Sequence, residues 1–210
     1  MYEHFFKRLI DLVLALIALP FVLLAIVIMA PIIYINDPGP IFYNALRRGR
    51  KGKNFRMMKF RSMYVNSPDL RNADGSTFNS SKDPRVTKVG RFMRKMSIDE
   101  IPQLLNVLKG DMSFIGPRPA LVSVPYDELE GNAKKRLDVR PGITGYSQAY
   151  YRNSIGLEEK FKYDCYYVDH ISFIMDVKII IKTVMSVIKS ENIYVSTENK
   201  PEEKKWRKEY

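Results

Sequence analysis

The sequence predicts an α+β, mainly helical protein that holds itself to a membrane by its N-terminal segment. Three observations carry that prediction. Residues 9–35 are almost wholly apolar, with Asp11 as the one charge. Strand-like alternation is confined to short stretches near 41–43 and 55–63. Most of what remains shows apolar residues at helical spacing. With 210 residues, the chain has room for a domain with its own core plus an appendage. The reading divides it into a membrane segment (1–36), a compact domain with a few short strands (37–189) and a polar tail (190–210).

Residues 9–35 are long enough to cross a hydrocarbon core as a helix. A cleaved signal peptide is disfavoured, because the run is too long and no small-residue cleavage site ends it. Pro20, near the middle, removes a backbone hydrogen bond and bends a helix. Both flanks are basic: Lys7 and Arg8 before, then Arg47, Arg48, Arg50, Lys51 and Lys53 after. Basic flanks prefer the cytoplasmic side. Two topologies follow, an ordinary kinked transmembrane helix and a re-entrant helix-break-helix broken at Pro20. Positive charge at both ends favours the second.

The net charge is +11, from 34 Lys and Arg against 23 Asp and Glu. Such a surplus calls for an anionic partner. Beside a membrane segment, anionic lipid and substrate phosphates explain it better than nucleic acid does. The single cysteine, Cys165, excludes an intramolecular disulfide, and with two distant histidines it leaves no zinc pattern.

Beyond the turn cluster at 36–40, the glycine-containing basic loop 47–53 can face lipid headgroups or cradle phosphate. Residues 55–63 alternate, so Lys59 and Arg61 share one strand face and can meet one anion. Residues 66–83 read as a polar loop. Helical patterns follow at 85–96, with Val89, Phe92, Met93 and Met96 as its stripe, and at 121–138, as two helices with Arg136 exposed on the second. Residues 157–170 form an amphipathic helix. Residues 171–187 are too charged to span easily and form a core or interfacial helix.

The stretch that organises the rest is 95–119. Asp99 and Glu100 stand before an apolar helical run (Ile101, Leu104, Leu105, Leu108) that Gly110 ends, and the rigid turn Gly116-Pro117-Arg118-Pro119 follows. Ser97-x-x-Glu100 matches a capping box, which needs no chemistry beyond satisfying amides. Pro102 sits badly in that helix, however. A start nearer Pro102 leaves the two acids on irregular backbone, where reactive side chains are often displayed. Acids with arginines close on both sides can hold a metal and a phosphate.

Together these motifs resemble the small monotopic phosphoglycosyl transferases, the bacterial sugar transferase family that starts glycoconjugate assembly on a polyprenyl phosphate. The likeness runs from about residue 7 to about residue 189. It rests on Lys7-Arg8-x-x-Asp11, the Pro20 position, Lys59-Phe60-Arg61, Arg94, Ser97-x-Asp99-Glu100-x-Pro102-Gln103, residues 106–113, residues 116–119 and Arg140-Pro-Gly-Ile-Thr-Gly145. One departure is Leu19 before Pro20, where the family break often has a serine. Longer members add several transmembrane helices and another soluble domain; this chain is expected to hold the core alone.

The resemblance implies transfer of a phosphosugar from a UDP-sugar to a polyprenyl phosphate, undecaprenyl phosphate in particular, with release of UMP. It implies that Asp99 attacks the β-phosphorus to give a covalent aspartyl-phosphosugar, and that Glu100 holds the metal or manages a proton. Mg²⁺ is the expected cofactor, on Asp99 and Glu100. Arg94 and Arg118 are expected on phosphate oxygens, with Lys59, Arg140 and Gln148 as further phosphate ligands and Asp164 in the same region. Expected partners are the nucleotide sugar, the polyprenyl phosphate, anionic lipid and a second copy of the chain, at the cytoplasmic face of the inner membrane. A ternary-complex mechanism and an inactive membrane-anchored scaffold are the alternatives.

Overall fold

A computed structural model describes residues 2–70, 78, 80, 82–152 and 154–188. The expected tail, 190–210, and most of the tip of the expected loop 66–83 lie outside them. The chain opens with a π-helical turn, Tyr2–Phe6, that runs into α1, Lys7–Asn36. A hairpin follows, β1 (Phe42–Arg48) against β2 (Asn54–Phe60), antiparallel, with Tyr43 opposite Lys59 and Arg48 opposite Asn54. Next come α2 (Lys88–Lys95), a 3₁₀ turn (Ile98–Glu100) and α3 (Gln103–Lys109). Strand β3 (Ser113–Ile115) pairs in parallel with β4 (Gly142–Thr144), and α4 (Gly131–Lys135) lies between them in sequence. Helices α5 (Tyr146–Tyr150), α6 (Leu157–Asp169) and α7 (Phe173–Ile188) complete the described chain. The protein is mainly helical with few short strands, as the patterning predicts.

The expected break at Pro20 is absent. Residues 7–36 form one helix with Pro20 and Pro31 inside it. A proline costs one helical hydrogen bond, and the adjoining turns carry the helix past it.

One face of α1 is buried along its whole length. Lys7, Asp11, Ala15, Val22, Met29 and Ile33 are covered, at spacings that return to one side of a helix. Ala15 packs with Ala45, Phe55, Met57, Val107 and Met112, while Met29 and Ile33 pack with Phe60 and Met93. The hairpin supplies residues to both clusters, so α1 lies along it. The other face of α1 is bare and apolar: Leu16, Ile17, Phe21, Leu24, Val27 and Ile28 are exposed.

Lys7 and Arg8, the basic flank of the sequence, and Asp11, the one charge of the apolar run, dock the helix. Lys7 Nζ donates to Asp176 Oδ2 at 2.6 Å, and Tyr2 and Tyr167 hydroxyls donate to the same carboxylate at 2.7 Å each. Arg8 donates to the carbonyls of Val107 (2.6 Å) and Leu108 (3.1 Å) at the end of α3. Asp11 Oδ1 accepts from Ser113 Oγ and the Phe114 amide, both at 3.1 Å. A third cluster, Ile115, Ala149, Tyr167 and Ile179, joins β3 to the C-terminal helices.

Two expectations fail locally. No helix covers 121–130, so of the two helices expected over 121–138 only the second forms, as α4, Gly131–Lys135, and Arg136 after it is buried rather than exposed. The basic loop 47–53 is shorter than expected, since β1 extends to Arg48.

Candidate active site

Asp99 and Glu100 sit on the 3₁₀ turn between α2 and α3. The capping box does not form. Ser97 is in the left-handed region (φ 57°) and its side chain makes no cap hydrogen bond. Pro102 stands at the N-cap of α3, where its missing N–H costs little. The helix therefore starts after the acids and leaves them on a tight, irregular lead-in.

The pair is buried unequally: Asp99 is covered, whereas the Glu100 side chain is 24% exposed. Lys59 Nζ, from the end of β2, donates to Glu100 Oε1 at 2.5 Å. Burial pushes the Asp99 carboxyl above its ordinary range, and the negative charge of Glu100 adds to this against the pull of Lys59 and Arg94. Burial also acts to raise Glu100, but Lys59, Arg118 and Arg152 outweigh it and hold that carboxyl below its ordinary range. The two adjacent acids are thus driven apart.

Arg94 comes from the last turn of α2, and its Nε donates to Ser62 Oγ at 2.9 Å. Gly90 sets that helix against the Ser62 backbone; a Cβ there would stand 1.9 Å from the Ser62 carbonyl oxygen. Arg118 is exposed on its turn after β3 and acts on Glu100 through charge. The turn is held by close backbone approach, since Gly116, Gly142 and Gly145 leave no room for a Cβ.

The structure thus brings together Asp99, Glu100, Lys59 and Arg94, and sets Arg118 within electrostatic reach of Glu100. Other expected site residues go elsewhere. Arg61 does not share an anion with Lys59. β2 ends at Phe60, and Arg61 instead binds the Asp37 carboxylate and the carbonyls of Asp37 and Pro40, fastening the turn after α1. Arg140 donates Nε to the Gly110 carbonyl at 3.0 Å, among Arg8, Arg50 and Asp11. Asp164 is buried in a structural pair with Arg136 (2.6 Å) and accepts from Ser147 Oγ at 2.6 Å. Gln148 donates to the Ile143 carbonyl at 3.2 Å, and its Oε1 is buried with no partner among the described residues.

One participant escaped the sequence reading. Arg152, left-handed at φ 49°, follows α5 and acts on Glu100. It adjoins a chain of stacked rings in which Tyr151 lies on Tyr163 (centroids 4.3 Å) and Tyr146 on Tyr150 (4.6 Å). Its signal in sequence was the cluster Tyr150-Tyr151-Arg152, an aromatic run beside a cation.

A metal fits the carboxylate pair in one manner. Among the described residues no group of three or more His, Cys, Asp or Glu side chains forms a metal cage. Mg²⁺ needs no such cage, since one or two carboxylates with substrate phosphates and water complete its shell.

A family model described as bacterial sugar transferase matches residues 2–190. The chain belongs to that family. The transferase is 42% identical over 187 residues to the "Uncharacterized sugar transferase EpsL" of Bacillus subtilis (strain 168), covering 89% of each chain. It is 39% identical over 212 residues to an undecaprenyl-phosphate galactose phosphotransferase of Salmonella typhimurium, and 38% over 189 residues to an Aeromonas hydrophila enzyme named for transferring N-acetylgalactosamine phosphate to undecaprenyl phosphate. Those two alignments cover 91% and 88% of this chain but only 42% and 44% of the longer relatives.

Proposed function

We propose that the transferase moves a phosphosugar from a UDP-sugar to a polyprenyl phosphate, giving a polyprenyl-diphosphate-sugar and UMP. The observation that carries this reading is the gathering of cations about one carboxylate pair. Lys59 and Arg94 act on Asp99, and Lys59, Arg118 and Arg152 act on Glu100. Basic side chains from four separate segments meeting beside two acids suit a diphosphate. The named activities of the Salmonella and Aeromonas relatives support undecaprenyl phosphate as acceptor and a galactose-type donor.

In this reading an Asp99 carboxylate oxygen attacks the β-phosphorus. The bond from that phosphorus to the bridging oxygen breaks, and its electron pair leaves on UMP. A polyprenyl phosphate oxygen then attacks the same phosphorus and displaces Asp99. Splitting the transfer into two displacements gives ping-pong kinetics. Arg118, exposed, and Arg94, braced on Ser62, bind phosphate oxygens in fork geometry. Lys59 holds Glu100 ionised and aligned. Mg²⁺ carried by Asp99 and Glu100 would neutralise charge developing on the leaving phosphate.

The contacts of α1 support a monotopic arrangement, and the basic residues on both its flanks favour the cytoplasmic face. A helix of 30 residues is about 45 Å long at about 1.5 Å per residue, yet both its ends and its middle rest on one domain. A crossing helix would carry one end away. Exposed Phe92 and Met96, on the segment that leads to the acids, extend the apolar surface toward the site and would bring it to headgroup depth.

UMP release by the detergent-extracted enzyme, with UDP-galactose and UDP-N-acetylgalactosamine as donors, tests the reading. Asp99→Asn is expected to abolish turnover and the acid-stable radiolabel that wild-type chain acquires from donor labelled in the β-phosphate. Turnover unchanged by Asp99→Asn removes Asp99 from the reaction, and full activity without label favours direct transfer in a ternary complex.

A further inference from the structure

The arginines at the far end of the hairpin form a group that the reaction does not use. Arg140 and Arg8 converge on Gly110, the left-handed residue that closes α3 (φ 92°). Arg140 Nε donates to the Gly110 carbonyl, and the Arg8 guanidinium lies 3.3 Å from where a Cβ on Gly110 would stand. Arg50, on the hairpin turn, donates Nε to the Asp138 carbonyl at 3.0 Å. Arg50 and Arg140 each spend only Nε this way. Their terminal nitrogens make no hydrogen bond among the described residues, which leaves two forks open.

These side chains line one shallow cleft, with about 20 Å³ of enclosed room behind an open mouth. Its acids offset it only in part. Glu3 and Asp11 stand against Arg8, Arg50 and Arg140, while Lys7, also in the lining, is matched by Asp176. Burial, and then the charges of Arg8 and Arg50, push the Arg140 guanidinium below its ordinary pKa against the opposing pull of Asp11.

The cleft is not the Asp99–Glu100 site. Lys59 and Arg48 mark the two ends of the hairpin, opposite Tyr43 and Asn54. Five residues of strand separate those ends, about 17 Å at about 3.4 Å per residue. The cleft also sits at the first turn of α1, beside exposed Phe5, Phe6 and Leu9, at the start of the apolar run.

We infer that Arg8, Arg50 and Arg140 form a second anion site that takes one phosphate group, either the phosphodiester of a lipid headgroup or a free phosphate. Two open guanidinium forks and a third cation match three or four phosphate oxygens. The site ties the end of α3, the hairpin turn and the root of α1 to one ligand. This inference does not rest on the proposed reaction, and its test needs no turnover.

The test is thermal unfolding of the full-length chain in detergent, titrated in separate arms with inorganic phosphate and with dioctanoyl phosphatidylglycerol. A saturable rise in Tm is expected in at least one arm. Its midpoint moves at least tenfold to higher concentration in Arg50→Gln and in Arg140→Gln, and stays put in Lys53→Gln, an exposed cation on the same turn. A response to phosphate identifies a free anion as sufficient; a response to the lipid alone identifies the headgroup. Arg50→Gln carries the test if Arg140→Gln fails to fold, because Arg50 lies on the partly exposed turn. No saturable rise in either arm overturns the inference. So does a rise that Arg118→Gln removes while Arg50→Gln leaves it intact, which would place the anion at the catalytic carboxylates.

Discussion

In the proposed reaction Asp99 has opposite consequences for chemistry and for stability. Its carboxyl is raised chiefly by burial, so the folded chain holds that proton more tightly than the unfolded chain does. Between the ordinary aspartate value, about 4, and the raised one, stability falls as pH rises. Asp99→Asn is therefore expected to raise Tm at neutral pH while abolishing turnover, and the gain should vanish below about pH 4. Thermal scans at pH 7 and pH 3.5 check both halves. Glu100 runs the other way: its lowered carboxyl contributes stability above its ordinary range, and this is lost as pH falls. Glu100→Gln strips Lys59 of its partner and should cost about 1 kcal/mol, a modest figure because the pair is partly exposed. Arg152 belongs at this scale too. Arg152→Gln should lower kcat/KM for the UDP-sugar by roughly tenfold to a hundredfold, about 1.4–2.7 kcal/mol of binding, with little change in Tm. Donor-saturation kinetics decide it.

At the level of elements, legibility tracked the length of the signal. The run at 9–35 was unmistakable because it needs no partner to be read. The acids' irregular turn was legible through Pro102, which cannot sit inside a helix capped at Ser97. The parallel pair β3–β4 was not, because three residues per strand carry no usable alternation and the pairing depends on glycine contacts between distant loops. Strand periodicity carried one residue past the end of β2 puts Arg61 beside Lys59, whereas Asp37 captures its guanidinium. Motif alone groups Arg140 with Arg94 and Arg118, whereas tertiary placement sets it beside Arg8. Helix α2 offers the sharpest test at this scale. Gly90→Ala puts a Cβ into the Ser62 carbonyl, forcing α2 away and disturbing the Ser62–Arg94 contact. A loss of about 1–3 kcal/mol should come with a fall in activity. Denaturant melts and UMP release measured on one preparation show whether the two move together.

For the whole molecule, the decisive quantity is where the two ends of α1 lie. Lys7 meets Asp176 of α7 inside a network with Tyr2 and Tyr167, and Ile33 meets Phe60 and Met93. One domain holds both, so burial of one face competes directly with a crossing path that would strip that face. A buried charge left without its partner costs roughly 3–5 kcal/mol, and Lys7 and Asp176 are both buried. Pulling α1 off the domain would expose the bare network as well as Ala15, Met29 and Ile33. The bare apolar face meanwhile needs lipid, and it can have it without the helix leaving the domain. Cys165 is the chain's single cysteine and is buried, so a Cys165→Ser background allows single cysteines at Glu3 and Pro38, one at each end. In intact cells neither is expected to react with a membrane-impermeant maleimide, and after the inner membrane is opened both should react. Labelling of one end alone in intact cells would mean that α1 crosses, and that its packing against the domain does not survive in the bilayer.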